Sequence, residues 1–127
     1  AWAAYSAQFW DSPQPNEINP PGIVACGEHD GTRWHPSFSY FYEGRELGKP
    51  WTWVSLPETG HVRHGAFEVF VREFFEDVQH PTGNAAAFAD VESGEQFQSP
   101  DDSVQTELLA IFPNETLIQA WRDVHAF

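Results

Sequence analysis

The chain has 127 residues, enough for one modest domain. Its net charge is −13, with 19 acidic and 6 basic side chains, and this balance disfavours nucleic acid and anionic membrane surfaces as partners. Aromatic residues make up 16% of the chain, and such side chains often anchor interfaces. We therefore expect part of the aromatic surface to face another chain.

Methionine is absent, at position 1 as well as elsewhere, and this predicts a processed chain or a segment of a longer protein. The single cysteine, Cys26, excludes an internal disulfide. The triplet Asn114-Glu115-Thr116 fits the glycosylation sequon and slightly favours a secreted protein. No signal peptide or membrane-spanning apolar run is visible in the sequence.

The first ten residues are predicted to form a helix, because aromatic side chains recur there at helical spacing. These side chains are Trp2, Tyr5, Phe9 and Trp10. Residues 11–21 carry four prolines, which is typical of an irregular connector. The unbroken apolar run over residues 23–26 then predicts a strand buried on both faces.

A helix is predicted over residues 36–47, since Pro36 suits a first turn and Gly48 can end the helix in a left-handed conformation. Residues 51–56 are rich in β-formers and stop before Pro57, so they predict a second strand. The order strand, helix, strand is typical of a right-handed parallel crossover.

Apolar side chains between Phe67 and Val78 fall at helical spacing and predict an amphipathic helix. Residues 80–106 lack periodicity and are interpreted as a long loop. A last helix is predicted over about residues 115–125, with Asn114 as its N-cap. The fold class is therefore α/β, with about two parallel strands flanked by helices.

Two of the predicted strand ends carry reactive side chains. The turn Gly27-Glu-His-Asp-Gly31 follows the first strand, and Gly60-His61 follows the second. Ligands of parallel α/β sheets lie beyond the carboxyl ends of the strands. A carboxylate on Nδ1 fixes the tautomer of a histidine base and stabilises its imidazolium. The spacing therefore indicates that Asp30 is an orienting acid and His61 a general base.

These turns resemble the C-terminal part of the α/β-hydrolase fold, over about residues 21–78. The family order is nucleophile, acid, histidine, so the resemblance implies the acid role for Asp30 and the base role for His61 in an esterase-like serine hydrolase. It also implies an added C-terminal helix over residues 109–121. We therefore expect one domain in two parts. Residues 1–80 form the α/β-hydrolase segment with both turns, and residues 81–127 form a long acidic loop and a last helix that pack on the same domain.

The nucleophile is missing, because no Gly-x-Ser-x-Gly occurs in the 127 residues. The resemblance therefore implies a complementary N-terminal chain or segment that carries the serine and the oxyanion hole. The chain alone is expected to be inactive and to need no cofactor. A non-catalytic binding or assembly subunit with the same framework is the alternative from another class.

Other roles for the same residues stay open. Glu28 is the alternative acid, and Asp30 alone is equally suited to capping the helix that follows. Cys26 invites a Cys-His-Asp hypothesis, but its place inside a strand favours a buried structural thiol. Trp34 and His35, just beyond the acid turn, are the predicted substrate-binding residues, with a core or interface role as the alternative.

A metal-dependent hydrolase is a further alternative, since zinc needs three or four convergent ligands and the chain is rich in histidine. The candidate ligands are His29, His35, His61, His64 and His80, with Glu28 and Asp30 nearby. The sequence lacks a His-Glu-x-x-His motif, and we expect no metal.

Overall fold

The computed structural model describes every residue except 8, 10, 16–18, 83–84 and 101–102. A parallel sheet of three strands lies at its centre. The strands are β1 (Trp2–Tyr5), β2 (Gly22–Gly27) and β3 (Trp51–Leu56), in the order β1-β2-β3. All six residues of β2 are buried, as their continuous apolar sequence predicts, so the α/β class is confirmed.

The predicted helix over residues 1–10 is wrong, because Trp2–Tyr5 forms β1. Trp2 packs edge-on against Trp51 at 5.0 Å between ring centroids, whereas Tyr5 contacts Phe67 at 5.5 Å. Residues i and i+3 lie on opposite faces of a strand, so both aromatic side chains are used, one on each side of the sheet. Pairing with β2 outweighs the short helical pattern, and the sheet gains a strand. Trp10 lies outside the described residues.

Helices cover both faces of this sheet. The helix α1 (Trp34–Glu46) packs Phe41 on Trp53 at 6.1 Å between ring centroids. It ends before Gly48, whose φ is 76°, as predicted. The helix α2 (Gly65–Gln79) buries Phe67 and two further phenylalanines on the opposite face. The predicted β2-α1-β3 parallel crossover is confirmed.

The loop predicted over residues 80–106 contains two short strands, and that prediction is wrong at these positions. The strands β4 (Ala87–Asp90) and β5 (Gln96–Phe97) pair antiparallel with each other. Alternate residues of β4 are buried, but four residues are too few for this alternation to stand out in the sequence. The strand needs its neighbours to form.

The helix expected over residues 109–121 is also wrong in its first part. Residues Leu109–Phe112 form β6, which pairs with β4 and completes a second sheet in the order β5-β4-β6. The helix α3 is shorter (Thr116–Val124). The N-cap position is Glu115 and not Asn114 as predicted, but the Asn114 side-chain oxygen still accepts a hydrogen bond from the Thr116 backbone N–H at 2.9 Å at the start of α3. None of the helices in the described part of the chain is long and apolar enough to cross a membrane.

The sequon asparagine has a structural role in the fold. Asn114 is 3% exposed, and its amide nitrogen donates to the Asp77 carboxylate at 2.7 Å. Glycosylation would use this same nitrogen, so it would break the link between α2 and α3. The sequon is thus a weak argument for secretion.

The buried Arg45 connects α1 to the second sheet. Its guanidinium donates to the backbone oxygen of Leu109 at 2.7 Å and to that of Lys49 at 2.6 Å. Burial lowers the pKa of Arg45 to about 10, so the side chain remains charged at neutral pH. Backbone carbonyls therefore compensate this buried cation.

The two edges of the parallel sheet differ. Along the outer edge of β3, the Trp121 indole N–H donates to the oxygen of Trp53 at 2.8 Å, and the N–H of Ala126 donates to the oxygen of Ser55 at 2.6 Å. The C-terminal segment thus covers this edge. In the part of the chain that the structure describes, β1 pairs with β2 alone and its other edge is open.

His125 completes the covered edge as a neutral imidazole. It is 6% exposed, its Nδ1 accepts from the backbone N–H of Ser55 at 3.1 Å, and its Nε2 donates to the oxygen of Val91 at 2.8 Å. Burial lowers its pKa to about 4. The folded state therefore holds this ring unprotonated, whereas an unfolded histidine titrates near about 6.5.

We predict that His125 makes the fold acid-sensitive. Its contribution to stability is complete above the unfolded pKa and is lost as pH falls from about 6.5 toward 4, since the unfolded state then binds the extra proton. Between pH 7 and pH 5 this amounts to about 2 kcal/mol of unfolding free energy, measured by urea denaturation. His125→Gln keeps a hydrogen-bond acceptor and a donor but does not titrate. Its unfolding free energy should therefore fall by about 2 kcal/mol less between pH 7 and pH 5 than that of the unsubstituted chain. An equal fall in unfolding free energy in both proteins would contradict the conclusion that His125 is held neutral in the fold.

Candidate active site

The acid turn is built directly on the end of β2. The backbone N–H of Asp30 donates to the oxygen of Gly27 at 3.1 Å, and the N–H of His29 donates to the oxygen of Thr59 at 2.9 Å. The second bond ties this turn to the loop that follows β3. Asp30 is consequently buried, with a side chain that is 3% exposed.

The structure brings His61 to Asp30, as the sequence predicts. The His61 Nδ1 lies 3.0 Å from the Asp30 Oδ2, and the imidazole is 61% exposed. The Tyr5 hydroxyl donates a hydrogen bond to the carbonyl oxygen of the preceding residue, Gly60, at 3.0 Å and so holds this part of the loop. Residues from all three parallel strands or their following loops thus meet at this end of the sheet.

The carboxyl group of Asp30 is ionised at neutral pH. Burial raises its pKa, but hydrogen bonds from Ser6 and His61 and the charges of His61 and Arg33 lower it, and the net result lies below the ordinary value. The Arg33 guanidinium is 3.4 Å from the Asp30 Oδ1. An ionised carboxylate only accepts hydrogen bonds, so the His61 Nδ1 must be the donor.

This tautomer leaves Nε2 of the neutral ring unprotonated. Among the described residues, no group hydrogen-bonds to the His61 Nε2, and the side chain as a whole is 61% exposed. A neutral imidazole held in this way can accept a proton at Nε2 while the carboxylate stabilises the resulting cation. The pair therefore has the geometry of an orienting acid and a general base.

The other candidate acid is not in this position. Glu28 is exposed, and its carboxylate accepts from the backbone N–H of Glu58 at 3.0 Å. The capping role considered for Asp30 is also not observed, since its side chain makes no cap hydrogen bond to the 3-10 turn Gly31–Arg33. The carboxylate of Asp30 is directed to His61 instead.

Cys26 is a buried thiol beneath the acid. Its Sγ lies 3.7 Å from the Asp30 Oδ2 and donates to it. Burial raises the pKa of the thiol, and the neighbouring carboxylate raises it further. Protonated and without exposed surface, Cys26 lacks the reactivity of a nucleophile.

The predicted substrate-binding residues lie to one side of the pair. Trp34 is half-buried, and its indole N–H donates to the Ser55 hydroxyl at 2.8 Å. It lines a cavity of about 320 Å³ with Glu28 and the C-terminal residues, but neither Asp30 nor His61 lines this cavity. His35 is exposed beside Trp34, and its role stays a prediction, as does that of Trp34.

The histidines do not converge. Within the described residues, no group of three or more His, Cys, Asp or Glu side chains is placed to hold a metal ion. His64 has a structural role instead, because its Nδ1 accepts from the backbone N–H of Phe67 at 3.2 Å and caps α2. The metal-dependent alternative has no geometric support in this part of the chain.

Sequence reasoning missed two neighbours of the acid. Arg33 lies in the short 3-10 turn before α1, and Ser6 directly follows β1, in the segment that the sequence predicts as a helix. Their signal in the sequence is weak, because only the fold brings them to Asp30.

Comparisons with family models, with curated proteins and with solved structures find no significant match to this chain.

Close backbone packing holds the two turns together, and it requires a glycine at position 27. A Cβ there would lie 2.1 Å from the oxygen of Thr59 and 2.8 Å from that of Gly60. Both contacts are with backbone, so the loop that carries His61 would have to move. At Gly60 itself, an added Cβ would meet only the oxygen of His29, at 3.8 Å.

We predict that Gly27→Ala lowers the unfolding free energy by about 2 kcal/mol, the usual effect of overpacking, when measured by urea denaturation at pH 7. Gly60→Ala is the matched control, since it adds the same methyl group to the facing turn without a close contact. It should change stability by less than about 0.5 kcal/mol. Equal effects of the two substitutions would contradict the packing described here.

Proposed function

We propose that this chain supplies the acid and the base of a serine hydrolase acting on carboxylic esters, as a C-terminal part of an α/β-hydrolase sheet. The observation that carries the proposal is the Asp30–His61 hydrogen bond at the ends of adjacent parallel strands, with Nε2 left open. The nucleophile would lie on another chain or segment.

The open edge of β1 supports this division of the site. Asp30 follows β2 and His61 follows β3, so a further strand that paired parallel to β1 would end on the same side of the sheet. Unpaired backbone groups on such an edge favour pairing with another strand. A partner strand there is the natural place for the nucleophilic serine.

Cavities with aromatic side chains in their walls flank β1 on both faces and favour the same partner. A cavity of about 540 Å³ includes Trp2, Tyr40 and Trp51, and one of about 260 Å³ on the other face includes Tyr5 and Phe67. A strand paired with β1 would bring its own side chains over these two surfaces. In this proposal, some of the many aromatic side chains of the chain would contact the partner strand.

In the proposed reaction, the serine hydroxyl attacks the ester carbonyl carbon while the His61 Nε2 takes its proton. The Asp30 carboxylate stabilises the imidazolium through Nδ1. His61 then returns the proton to the departing alcohol, which leaves an acyl-serine. Water repeats the sequence, with His61 as the base, and releases the acid. Trp34 and His35 are proposed to contact the substrate at the rim of this site.

We predict that Asp30→Asn lowers kcat for ester hydrolysis by about 10⁴-fold in the native assembly that contains this chain, because the amide favours the wrong tautomer of His61. The assembly should also react with a serine-directed phosphonate, and His61→Ala should abolish this labelling. Glu28→Gln is the matched control, since it neutralises the neighbouring exposed carboxylate, and it should leave both rates unchanged.

Labelled peptide mapping identifies the serine and the chain that carries it. If the native assembly contains no phosphonate-reactive serine and His61→Ala changes no activity, the proposal fails. A stable assembly without such a serine would instead favour a non-catalytic binding subunit that keeps the hydrolase framework.

A further inference from the structure

His61 lies in an exposed part of its loop. Its side chain is 61% exposed, and Val62, which follows it, is 60% exposed. Over residues 60–62, the hydrogen bonds that arrive from outside the loop come, among the described residues, from the side chains of Tyr5 and Asp30. The place of the imidazole therefore depends on these two contacts.

Tyr5 binds the carbonyl group immediately before His61. Its hydroxyl donates to the oxygen of Gly60 at 3.0 Å, and the backbone N–H of Val62 donates to the same oxygen at 3.0 Å. The second bond closes a three-residue γ-turn with His61 as its central residue. The phenol thus holds the turn that presents the imidazole.

The sheet and α2 fix the phenol in turn. Tyr5 is the last residue of β1, where it lies in register with Ala25 of β2, and its ring packs on Phe67 of α2 at 5.5 Å between centroids. Phe67 is 5% exposed, so the ring is attached to the core. Burial raises the pKa of the Tyr5 hydroxyl, which is therefore protonated at neutral pH and able to donate.

We propose that Tyr5 is a positioning residue that keeps His61 within reach of Asp30 by binding the Gly60 carbonyl. Its catalytic meaning rests on the proposed function, but its effect on His61 does not. Asp30 is buried in its own turn, so the 3.0 Å bond to the His61 Nδ1 persists only while the exposed loop stays in place. In the described part of the chain β1 is the open edge strand, so Tyr5 also connects the base to the edge where the partner strand is proposed to pair.

The test is Tyr5→Phe in the full chain, studied by NMR at a pH where the His61 ring is neutral. Phenylalanine keeps the ring on Phe67 and removes only the hydroxyl. The ¹³C shift of the Gly60 carbonyl reports the loss of the hydrogen bond, and the ¹⁵N shifts of the His61 ring report its tautomer. The ratio of the Nδ1-protonated to the Nε2-protonated form should fall about 5-fold, the factor that corresponds to a hydrogen bond worth about 1 kcal/mol.

Tyr40→Phe is the matched control. Tyr40 is also half-buried, and its ring stacks on Trp51 at 5.2 Å between centroids, but its hydroxyl makes no hydrogen bond among the described residues. This substitution should leave the His61 tautomer unchanged. Urea denaturation of both variants establishes that each is folded under the conditions of the NMR measurement.

A lower tautomer ratio in Tyr5→Phe, with the ratio unchanged in Tyr40→Phe, supports the positioning role. An unchanged ratio in Tyr5→Phe overturns it, whether or not the Gly60 carbonyl shifts. An equal change in both variants also overturns it, because the loss of a hydroxyl elsewhere would then have the same effect. The measurement needs no ester or partner, so its failure is distinguishable from the absence of a reactive serine in the assembly.

Discussion

The hydrogen bond between the Asp30 Oδ2 and the His61 Nδ1, 3.0 Å long, is the interaction on which the site depends. A buried carboxylate loses its hydration, and this loss must be compensated by charges or hydrogen bonds. Here the compensation comes from His61, from Arg33 and from polar groups below the acid. The pKa of Asp30 stays below its ordinary value although burial alone would raise it. The cost of burying the acid is thus met by groups that also orient the imidazole.

The parallel sheet makes this arrangement possible. Adjacent parallel strands end on the same side, so the turns after β2 and β3 are neighbours although about thirty residues separate them along the chain. Gly27 lets the backbones of the two turns meet at a distance that a side chain would prevent. The two edges of the sheet differ, because the edge at β3 is covered whereas the edge at β1 is open in the described part of the chain. The C-terminal segment covers the edge at β3, and the edge at β1 is where the strand with the nucleophile is proposed to pair.

The sequence predicts the parts of this structure that have strong local patterns. The buried strand β2 is predictable because its sequence is continuously apolar, and α2 is predictable because its 15 residues are enough to show the helical spacing of its apolar side chains. β1 was mistaken for a helix, since four residues carry too little pattern and the pairing with β2 decides their conformation. β6 and the strands before it were missed for the same reason.

The candidate site was predictable to a similar degree. Asp30 and His61 follow strands that the sequence reveals, so their meeting could be expected before the fold was known. Ser6 could not be associated with them, because its position depends on β1. The burial of Cys26, in contrast, could be expected from its place inside an apolar strand, and in the fold this burial raises the pKa of the thiol. Long-range packing, rather than local pattern, decides which side chains surround Asp30.

The most direct test of the central claim is the tautomer of His61, read from the ¹⁵N chemical shifts of its ring in the full chain at a pH where the ring is neutral. We expect the proton on Nδ1, with Nε2 unprotonated, because the ionised Asp30 accepts from Nδ1. Asp30→Asn should reduce this preference. A proton on Nε2 in the unsubstituted chain would contradict the account, since His61 could not then accept a proton at its open nitrogen.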